Sequence, residues 1–318
     1  MGLFSIEQQR FGLKKEAVRG VAEAAPDKWY PTRGKPDLTY GLELLEDEGI
    51  RGSFSSYVPS AGLKVGEGTI PLYGDAQMLG EALLSLMGSV VTTQQGGTPA
   101  YEHVFEIGNS IQKPSYTLFL DRGLEVLKYN LAVCQKIDFK SAVDGLMEVD
   151  TTWLFKSEAS GSIGTPAYPT QQYLGFQHVD FKLTGSSNTN VKDWTLTLNN
   201  QAESLRTLSK SQDVTDIVTP LKFQVEGGFT IYFVDVVERD RFLANTTTEI
   251  NIIAAGNTIP TTGDKYTVQF VIHDIRYKAF PYGEDNGLLA AQVTFTSYFS
   301  LGTTKHIEIK LLNEDTSY

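Results

Sequence analysis

Short segments of β-type sequence recur along almost the whole chain, and this recurrence limits the possible folds more than any other feature. Twelve segments either alternate apolar and polar residues or run continuously through β-branched and aromatic side chains. Clusters of Gly, Pro, Ser and Asn separate them. The segments span residues 63–72, 101–107, 116–120, 127–140, 146–155, 176–183, 194–198, 221–234, 250–254, 266–278, 288–299 and 306–312. A mainly β fold is therefore predicted.

One segment indicates which face of its strand is exposed to solvent. Residues 194–198, Trp-Thr-Leu-Thr-Leu, alternate strictly between apolar and polar side chains. Successive side chains of a strand point to opposite faces, so one face of this strand should be buried and the other hydrated.

Each half of the chain contains one convincing helix. In the first, apolar residues recur at helical spacing, with Asp75 as a plausible N-cap and Gly88 as the stop. The apolar positions are Met78, Leu79, Ala82, Leu83 and Leu86. In the second, Asp235 can cap a short helix through residues 238–243, whose apolar stripe is thin. Two short helices flanking β domains are predicted.

The length of 318 residues admits one large β domain or two domains of about 150 residues. A small polar stretch rich in Gly and Ser, residues 157–166, falls at mid-chain and is typical of a linker or a long mobile loop. Residues 1–44 carry Trp29 and Tyr30 between prolines but lack apolar periodicity, which indicates an arm that packs on something else. The predicted organisation is an arm (1–44), a first domain (45–165) and a second domain (166–318).

The two halves share an order of features. Residues 68–75 lead into the first helix much as residues 228–235 lead into the second, and both contain Thr-Ile. Farther on, Ile-Asp-Phe-Lys-Ser at 137–141 matches Ile-Arg-Tyr-Lys-Ala at 275–279, and each is followed by a turn and a Gly-Leu pair. An internal duplication is favoured over the chance recurrence of common β dipeptides.

The charge balance restricts the partners. The net charge is -11 and the pI about 4.9, whereas proteins that grip nucleic acid do so with Lys and Arg on phosphates. DNA that meets this surface is expected not to adhere. No segment approaches the ~20 apolar residues of a membrane span and no signal peptide is visible, so a soluble protein used without secretion and without a membrane partner is expected.

Metal and thiol chemistry finds no support in the pattern. The four histidines, at 103, 178, 273 and 306, stand at no metal-ligand spacing from one another. The single cysteine, Cys134, lies in an apolar run and is interpreted as a buried structural thiol. No metal site and no cofactor are predicted.

Catalytic motifs fail on their context. Gly66 and Gly68 do not form a dinucleotide loop, because Pro71 occupies the third glycine position; the glycines are interpreted as a turn. Ser110 and Lys113 have Ser-x-x-Lys spacing, but Pro114 follows at once and opposes the helix that this motif needs. Carboxylates are abundant, yet no pair is singled out as a glycosidase pair. No catalytic residue is predicted.

A family resemblance follows from the order of these features. Gly12, Glu16 and Gly20 precede Tyr30 and Pro31, and this spacing resembles the opening of siphophage major tail tube proteins. Similar too are the strand-helix step after Thr69-Ile70, the strand at 194–200 and the Gly-Leu strands near the end of each half. The thin second helix and the alanine-rich arm depart from the family pattern.

The resemblance implies two related tail tube domains of β-sandwich or barrel-like type. It implies rings closed by β-pairing between subunits and stacked into the virion tail, assembled in the host cytoplasm, with DNA passing through the lumen without specific binding. Implied partners are other copies of the chain, the tape measure protein and tail terminator or tip proteins. Residues 1–44 are expected to contact the next ring, and two tube domains per chain favour a trimeric, pseudo-sixfold ring over a homohexamer.

Other classes of protein remain open from the sequence. Another tail or head-to-tail ring protein, a non-catalytic β-sandwich binding module and an enzyme are the alternatives. A binding module should expose a cluster of aromatic residues, whereas here they are spread through the strands as core residues are. An enzyme should show converging polar residues, and none is evident in the sequence.

Overall fold

The computed structural model describes residues 5–52 and 57–318, and within these ranges the chain is mainly β. The strands of the first half are β1 (Arg10–Lys15), β2 (Lys28–Tyr30), β3 (Asp37–Leu45), β4 (Ser60–Tyr73), β5 (Gly88–Gln94), β6 (Tyr101–Ile107), β7 (Tyr116–Asp121), β8 (Val126–Ala142), β9 (Glu148–Phe155) and β10 (Ser157–Ser160). Those of the second half are β11 (Val179–Leu183), β12 (Ser186–Ser187), β13 (Val191–Asn199), β14 (Glu203–Leu205), β15 (Asp216–Val218), β16 (Gln224–Tyr232), β17 (Thr248–Thr258), β18 (Lys265–Ala279), β19 (Tyr282–Asp285), β20 (Leu288–Ser297) and β21 (Ile307–Asn313). The helices are α1 (Gly80–Met87) and α2 (Val237–Leu243).

All twelve predicted β segments contain a strand, so the mainly β prediction is confirmed. Nine shorter or more exposed strands have no clear sequence signal: β1, β2, β3, β5, β10, β12, β14, β15 and β19. Partners elsewhere in the chain define them, as when β3, whose side chains are largely exposed, pairs along its length with β4.

Eight strands form one continuous antiparallel layer, which we call the long sheet. Its order is β3, β4, β9, β8, β13, β16, β20 and the C-terminal part of β18. The first four strands come from the first half and the last four from the second. Within this sheet the halves are joined by the β8–β13 pair, in which seven consecutive residues from Lys136 to Ala142 are paired with β13. Outside this sheet, β6 of the first half also pairs with β21 of the second.

A second layer packs on one face of the long sheet, which gives a sandwich. The N-terminal part of β8 pairs with β7 and β10, and the N-terminal part of β18 pairs with β17 and β21. Both long strands therefore pass from one layer to the other. Phe139 of β8 and Trp194 of β13 pack against Phe270 of β18, at 4.7 and 6.0 Å between ring centroids. One hydrophobic cluster includes residues of both halves.

The backbone pairing of the first half recurs in the second. Seven antiparallel pairs of the first half are β1–β2, β1–β7, β3–β4, β4–β9, β7–β8, β8–β9 and β8–β10. Their counterparts are β11–β12, β11–β17, β13–β16, β16–β20, β17–β18, β18–β20 and β18–β21. In each half the helix follows the fourth strand of this set. The halves differ by insertions: the β5–β6 hairpin in the first, β14–β15 and β19 in the second.

Helix α1 is a core element rather than a surface one. All eight of its residues are buried, including Glu81 and Ser85. Ser85 Oγ donates to the Pro114 carbonyl (3.0 Å) and accepts from the Cys134 amide (2.9 Å). The expected outward polar face of a flanking helix is absent because the helix packs against β5, β6 and β8, and its polar side chains find partners there.

The start of α1 was predicted wrongly and its end correctly. The helix begins at Gly80, after Leu79, and not at Asp75. Asp75 is buried and instead accepts hydrogen bonds from the amides of Gln77 and Gln172, so it fixes the turn before the helix. Gly88 ends α1 in the left-handed conformation, at φ 88°.

The second predicted helix forms as α2, and none of its residues is buried. The N-cap is Val236, without a side-chain cap, and not Asp235 as predicted; Asp235 lies one residue earlier, and its Oδ1 accepts from the Val237 amide. Tyr277 donates to the Glu238 carboxylate at 2.6 Å and attaches the helix to β18, while Arg241 of the same helix binds that carboxylate at 2.8 Å.

Residues 10–45 do not form an arm that packs on something else. They form β1, β2 and β3, and β1 pairs with both β2 and β7 of the same chain. Phe11, Leu13, Trp29 and Tyr30 are buried. The sequence suggested an arm because β1 and β2 are short, β1 pairs with the distant β7, and β3 has mostly exposed side chains. A Cβ at Gly12 would lie 2.8 Å from Pro26 Cβ, so glycine is required for this packing.

The carboxylate of Glu16 fastens this N-terminal segment. It accepts hydrogen bonds from Ser115 Oγ (2.6 Å), Thr117 Oγ1 (3.2 Å), the Leu131 amide (2.7 Å) and the Gly20 amide (2.6 Å). Gly20 itself has φ 78°, a conformation that favours glycine. The Gly12, Glu16 and Gly20 spacing therefore encodes a buried attachment of the segment to its own chain.

Two predicted loops are strands. Residues 157–160 of the mid-chain Gly/Ser stretch form β10, which pairs with β8, while the connection without strands or helices runs on from residue 161 to 175. Gly66 and Gly68 lie inside β4 and not in a turn. A Cβ on these two glycines would lie 2.4 Å from the Phe155 carbonyl oxygen and 2.1 Å from that of Asp37, so they permit close approach of neighbouring strands.

Leu83→Ala should lower the free energy of unfolding by about 2–5 kcal/mol, because the Leu83 side chain is fully buried in α1 and its loss leaves a cavity. Chemical denaturation measures the change. Leu124→Ala is the matched control, since Leu124 is 79% exposed in the β7–β8 turn, and should change the value by less than about 0.5 kcal/mol. A loss below that size at Leu83 would contradict the buried position of α1.

Glu81 should make the fold less stable as the pH rises. Burial raises the pKa of its carboxyl above the ordinary value of 4.5, so its stabilising contribution is complete below pH 4.5 and is lost as the pH passes through the raised pKa. Glu81→Gln keeps an acceptor for Tyr116, which donates to Glu81 at 2.7 Å. Its unfolding free energy, measured from pH 4 to 8, should fall less steeply than that of the wild type. The same pH dependence of the unfolding free energy in both proteins would refute this. The control variant is Glu284→Gln, at an exposed position.

Candidate assembly surfaces

The side of the long sheet away from the second layer carries polar side chains, and we call it the polar face. Alternation along each strand places these residues together, as the sequence predicted for residues 194–198. Strand registers align them in rows across the sheet. One row consists of Glu148, Lys140, Thr195, Gly228 and Thr294, and the next of Asp150, Asp138, Thr197, Glu226, Thr296 and Arg276.

The charges of the polar face are mixed and mostly paired. Lys136 binds Asp138 at 2.7 Å and Lys278 binds Glu226 at 2.6 Å. The carboxylates of this face are Asp37, Glu67, Asp138, Glu148, Asp150, Asp193 and Glu226, and the basic side chains that reach it are Arg33, Lys136, Lys140, Arg276 and Lys278. The face thus has a slight acidic excess and lacks the run of unpaired Lys and Arg that binds phosphates.

The long sheet ends in two open edges. At one end β3 pairs only with β4 among the described residues. At the other, Ile275 pairs with β17 on one side and β20 on the other, but beyond it only the β20 side is paired in the described part of the chain. The open edge continues along β19, which pairs with β20. We call these the β3 edge and the β18–β19 edge.

One groove lies beside the second of these edges. Its volume is about 660 Å³, and it is lined by Arg276, Tyr277 and Lys278 of β18 together with Phe299 and Leu301. A neighbouring groove of about 640 Å³ shares Phe299 but is otherwise lined by residues outside β18 and β19. Phe299 and Leu301 are 57% and 86% exposed, so apolar surface is concentrated where the sheet edge is open.

The Ser-x-x-Lys pair has a structural role. Lys113 Nζ donates to the carbonyl oxygens of Met87 (3.2 Å) and Gly108 (2.6 Å), and Ser110 Oγ donates to the Gln112 carbonyl (3.0 Å). The lysine therefore satisfies a carbonyl at the C-terminus of α1, a favourable place for a cation. Burial lowers its pKa. Among the described residues, no hydrogen bond joins the Ser110 hydroxyl to the Lys113 side chain.

Each histidine has a structural hydrogen bond or ion pair, and two of them are neighbours, since the His273 amide donates to the His306 carbonyl (3.1 Å). His103 Nδ1 and Nε2 lie 2.9 Å from Thr92 Oγ1 and 3.0 Å from Asn313 Oδ1, which ties the β5–β6 hairpin to β21. Burial lowers the pKa of His103 and of His306. The other two are His178, which accepts from the Gly175 amide, and His273, which lies 3.3 Å from Glu249.

The thiol of Cys134 is fully buried in β8, as the sequence indicated, and burial raises its pKa well above the usual range. Within residues 5–52 and 57–318, no group of three or more His, Cys, Asp or Glu side chains could hold a metal ion. In the same ranges, no helix is both long and apolar enough to cross a membrane.

The family comparison agrees with this architecture. A family model described as phage tail tube protein matches residues 7–297 of the 318. No curated protein matches the chain. The matched region contains the whole of the long sheet, from β3 to β20, and both helices. The chain belongs to the phage tail tube protein family.

Proposed function

We propose that this protein forms the wall of a phage tail tube as a trimeric ring, and that stacked rings conduct DNA during ejection from a siphophage virion. The observation that carries the proposal is the recurrence of seven strand pairings in the two halves of the chain. Each half is then one tube domain, and one chain supplies two wall units. Three chains supply six units in a pseudo-sixfold ring.

The strand count supports three chains over six. Each chain contributes eight strands to the long sheet, so a trimer closes 24 strands. With strands about 4.8 Å apart and tilted by about 40°, such a barrel measures about 45–50 Å between opposite backbones. Six chains would give about twice that width, more than a single duplex requires.

The polar face suits the lumen. The second layer and α1 lie on the opposite side of the long sheet, so closure with the polar face inward lines the channel with a single layer of mostly short or paired side chains. A mixed surface with slight acidic excess gives phosphates few cations to bind, and passing DNA is not retained. The other face is the packed core and is not available to DNA.

The domain boundaries and further partners are part of the same proposal. The two tube domains divide within the connection that follows β10, near residue 165, and residues 10–45 are strands of the first domain. Tape measure protein inside the lumen and terminator or tip proteins at the tube ends are the expected partners besides further copies of the chain. Assembly in the host cytoplasm, no catalytic activity and no cofactor are expected of such a structural subunit.

Electron microscopy of the purified protein tests the ring. The proposal expects hollow tubes or rings with threefold symmetry and six similar wall units, because each chain holds two related halves. Sixfold averaging with one whole chain per unit would contradict the trimer. Single rings that never stack would point to another tail or head-to-tail ring protein, and monomers at all concentrations would oppose assembly altogether.

Free subunits should bind duplex DNA with a dissociation constant above about 100 µM at physiological salt, which is weaker than ordinary non-specific binding. Fluorescence anisotropy with a labelled duplex measures it. The double variant Glu67→Lys and Asp193→Lys adds cations to the polar face and should create binding that falls with salt. Low-micromolar, salt-sensitive binding by the wild type would contradict the proposed lumen.

A further inference from the structure

The two open edges of the long sheet are counterparts of two edges that are already joined inside the chain. β3 occupies in the first half the place that β13 occupies in the second, and β8 occupies the place of β18. β13 and β8 pair with each other and join the halves. In their counterparts, β3 and β18, the backbone edges equivalent to those joined in the β13–β8 pair are unpaired among the described residues.

The correspondence of β3 and β13 holds at the level of residues. Residues 37–42 are Asp-Leu-Thr-Tyr-Gly-Leu and residues 193–198 are Asp-Trp-Thr-Leu-Thr-Leu. Each strand packs in the same way on the strand before the helix: Tyr40 is opposite Gly66, and Leu196 is opposite Gly227.

β8 and β18 also correspond in their residues. Ile-Asp-Phe-Lys at 137–140 matches Ile-Arg-Tyr-Lys at 275–278. Phe139 is opposite Val149 of β9, and Tyr277 is opposite Phe295 of β20. Beyond Tyr277 the pairing of β18 with β20 shifts by one residue at Lys278. The partner strands β9 and β20 lie on the same side in each half. The strand after β9 is β10, which pairs with the N-terminal part of β8, and the strand after β20 is β21, which pairs with the N-terminal part of β18.

We propose that the ring closes when β3 of one copy adds antiparallel to the β18–β19 edge of the next copy, in the register of the β13–β8 pair. This inference rests on the proposed ring and names its contact. The pair Thr195 and Lys140 then becomes Thr39 opposite Lys278. The contact makes the long sheet continuous around the ring and covers both open edges.

Side-chain sizes fit this register. In the internal pair, the large Trp194 is opposite the small Ser141, and Leu196 is opposite the aromatic Phe139. The corresponding residues place Leu38 opposite Ala279, again large against small. They also place Tyr40 opposite Tyr277, and aromatic pairs across strands stabilise antiparallel sheets.

Charge and apolar surface favour the same partner. In this register Asp37 lies diagonally beside Lys278, and Glu43 lies diagonally beside Arg276 and directly opposite Asp274. Leu42 and Leu44 of β3 are 47% and 61% exposed. The 660 Å³ groove beside Arg276 includes the exposed side chains of Phe299 and Leu301 among its mostly polar lining, and these two offer the leucines an apolar contact. A second copy of this chain therefore meets both the charge and the apolar requirement.

Disulfide trapping tests the register. Directly opposite residues of an antiparallel pair have Cα atoms about 4.5–5.5 Å apart, within the range that a disulfide spans. The full-length double variant Thr39→Cys and Lys278→Cys is assembled and oxidised with copper phenanthroline, then separated on non-reducing gels. Covalent oligomers between chains are expected, and the size at which the series stops gives the number of chains in the ring.

Two variants control this experiment. Thr195→Cys with Lys140→Cys should form a disulfide within one chain, since these exposed residues are already opposite each other. Thr39→Cys with Glu284→Cys is displaced by six residues along the edge and should not form covalent oligomers. Native Cys134 is fully buried and does not compete.

The outcomes separate this contact from the ring itself. Assembled particles that lack the Thr39 to Lys278 disulfide, while the internal control forms its own, overturn the contact and leave the tube proposal standing. Equal cross-linking of the displaced pair overturns the register. Monomers without cross-links under all conditions overturn both the contact and the ring.

Discussion

Strand β8 is the element on which the rest of the structure depends. It pairs its backbone with four strands, β7, β9, β10 and β13. At 17 residues it is long enough to belong to the second layer at its N-terminus and to the long sheet at its C-terminus. Because both edges are occupied over most of its length, it holds two layers and two halves in one hydrogen-bonded network, which explains why its residues are almost all shielded from water.

The buried polar groups follow from this network. A sandwich that also encloses a helix must satisfy polar atoms far from solvent, and unpaired ones are costly. Glu16, Ser85 and Asn200 do so at the turns where β8 changes layers: Asn200 donates to the Leu86 and Cys134 carbonyls. These contacts join α1, the N-terminal strands and the second half to the same central strand.

Repetition inside one chain gives assembly a template. Within the long sheet the halves meet through an antiparallel strand pair, and a duplicated unit that forms such a contact once presents the same two surfaces again at its ends. Edge strands left unpaired are prone to pair with other chains. In a closed ring, each such edge is paired with the neighbouring copy. Membership of the tail tube family agrees with a chain built to pair with copies of itself.

The sequence alone determined the β-rich fold, the twelve main strands and the stop of α1 at Gly88, because alternation and glycine conformations are local properties. It also indicated the duplication, through the matching residues of β8 and β18. It did not reveal β1, β2 and β3, since β1 and β2 are short and β1 pairs with the distant β7, while β3 has mostly exposed side chains and is defined by its pairing with β4. The burial of α1 and the role of Glu16 as a fastening carboxylate likewise needed the tertiary structure, which alone brings Ser115, Thr117 and Leu131 to one carboxylate. The open edges depend on it too, because an edge is defined by the strand that is missing beside it, and no local pattern records that.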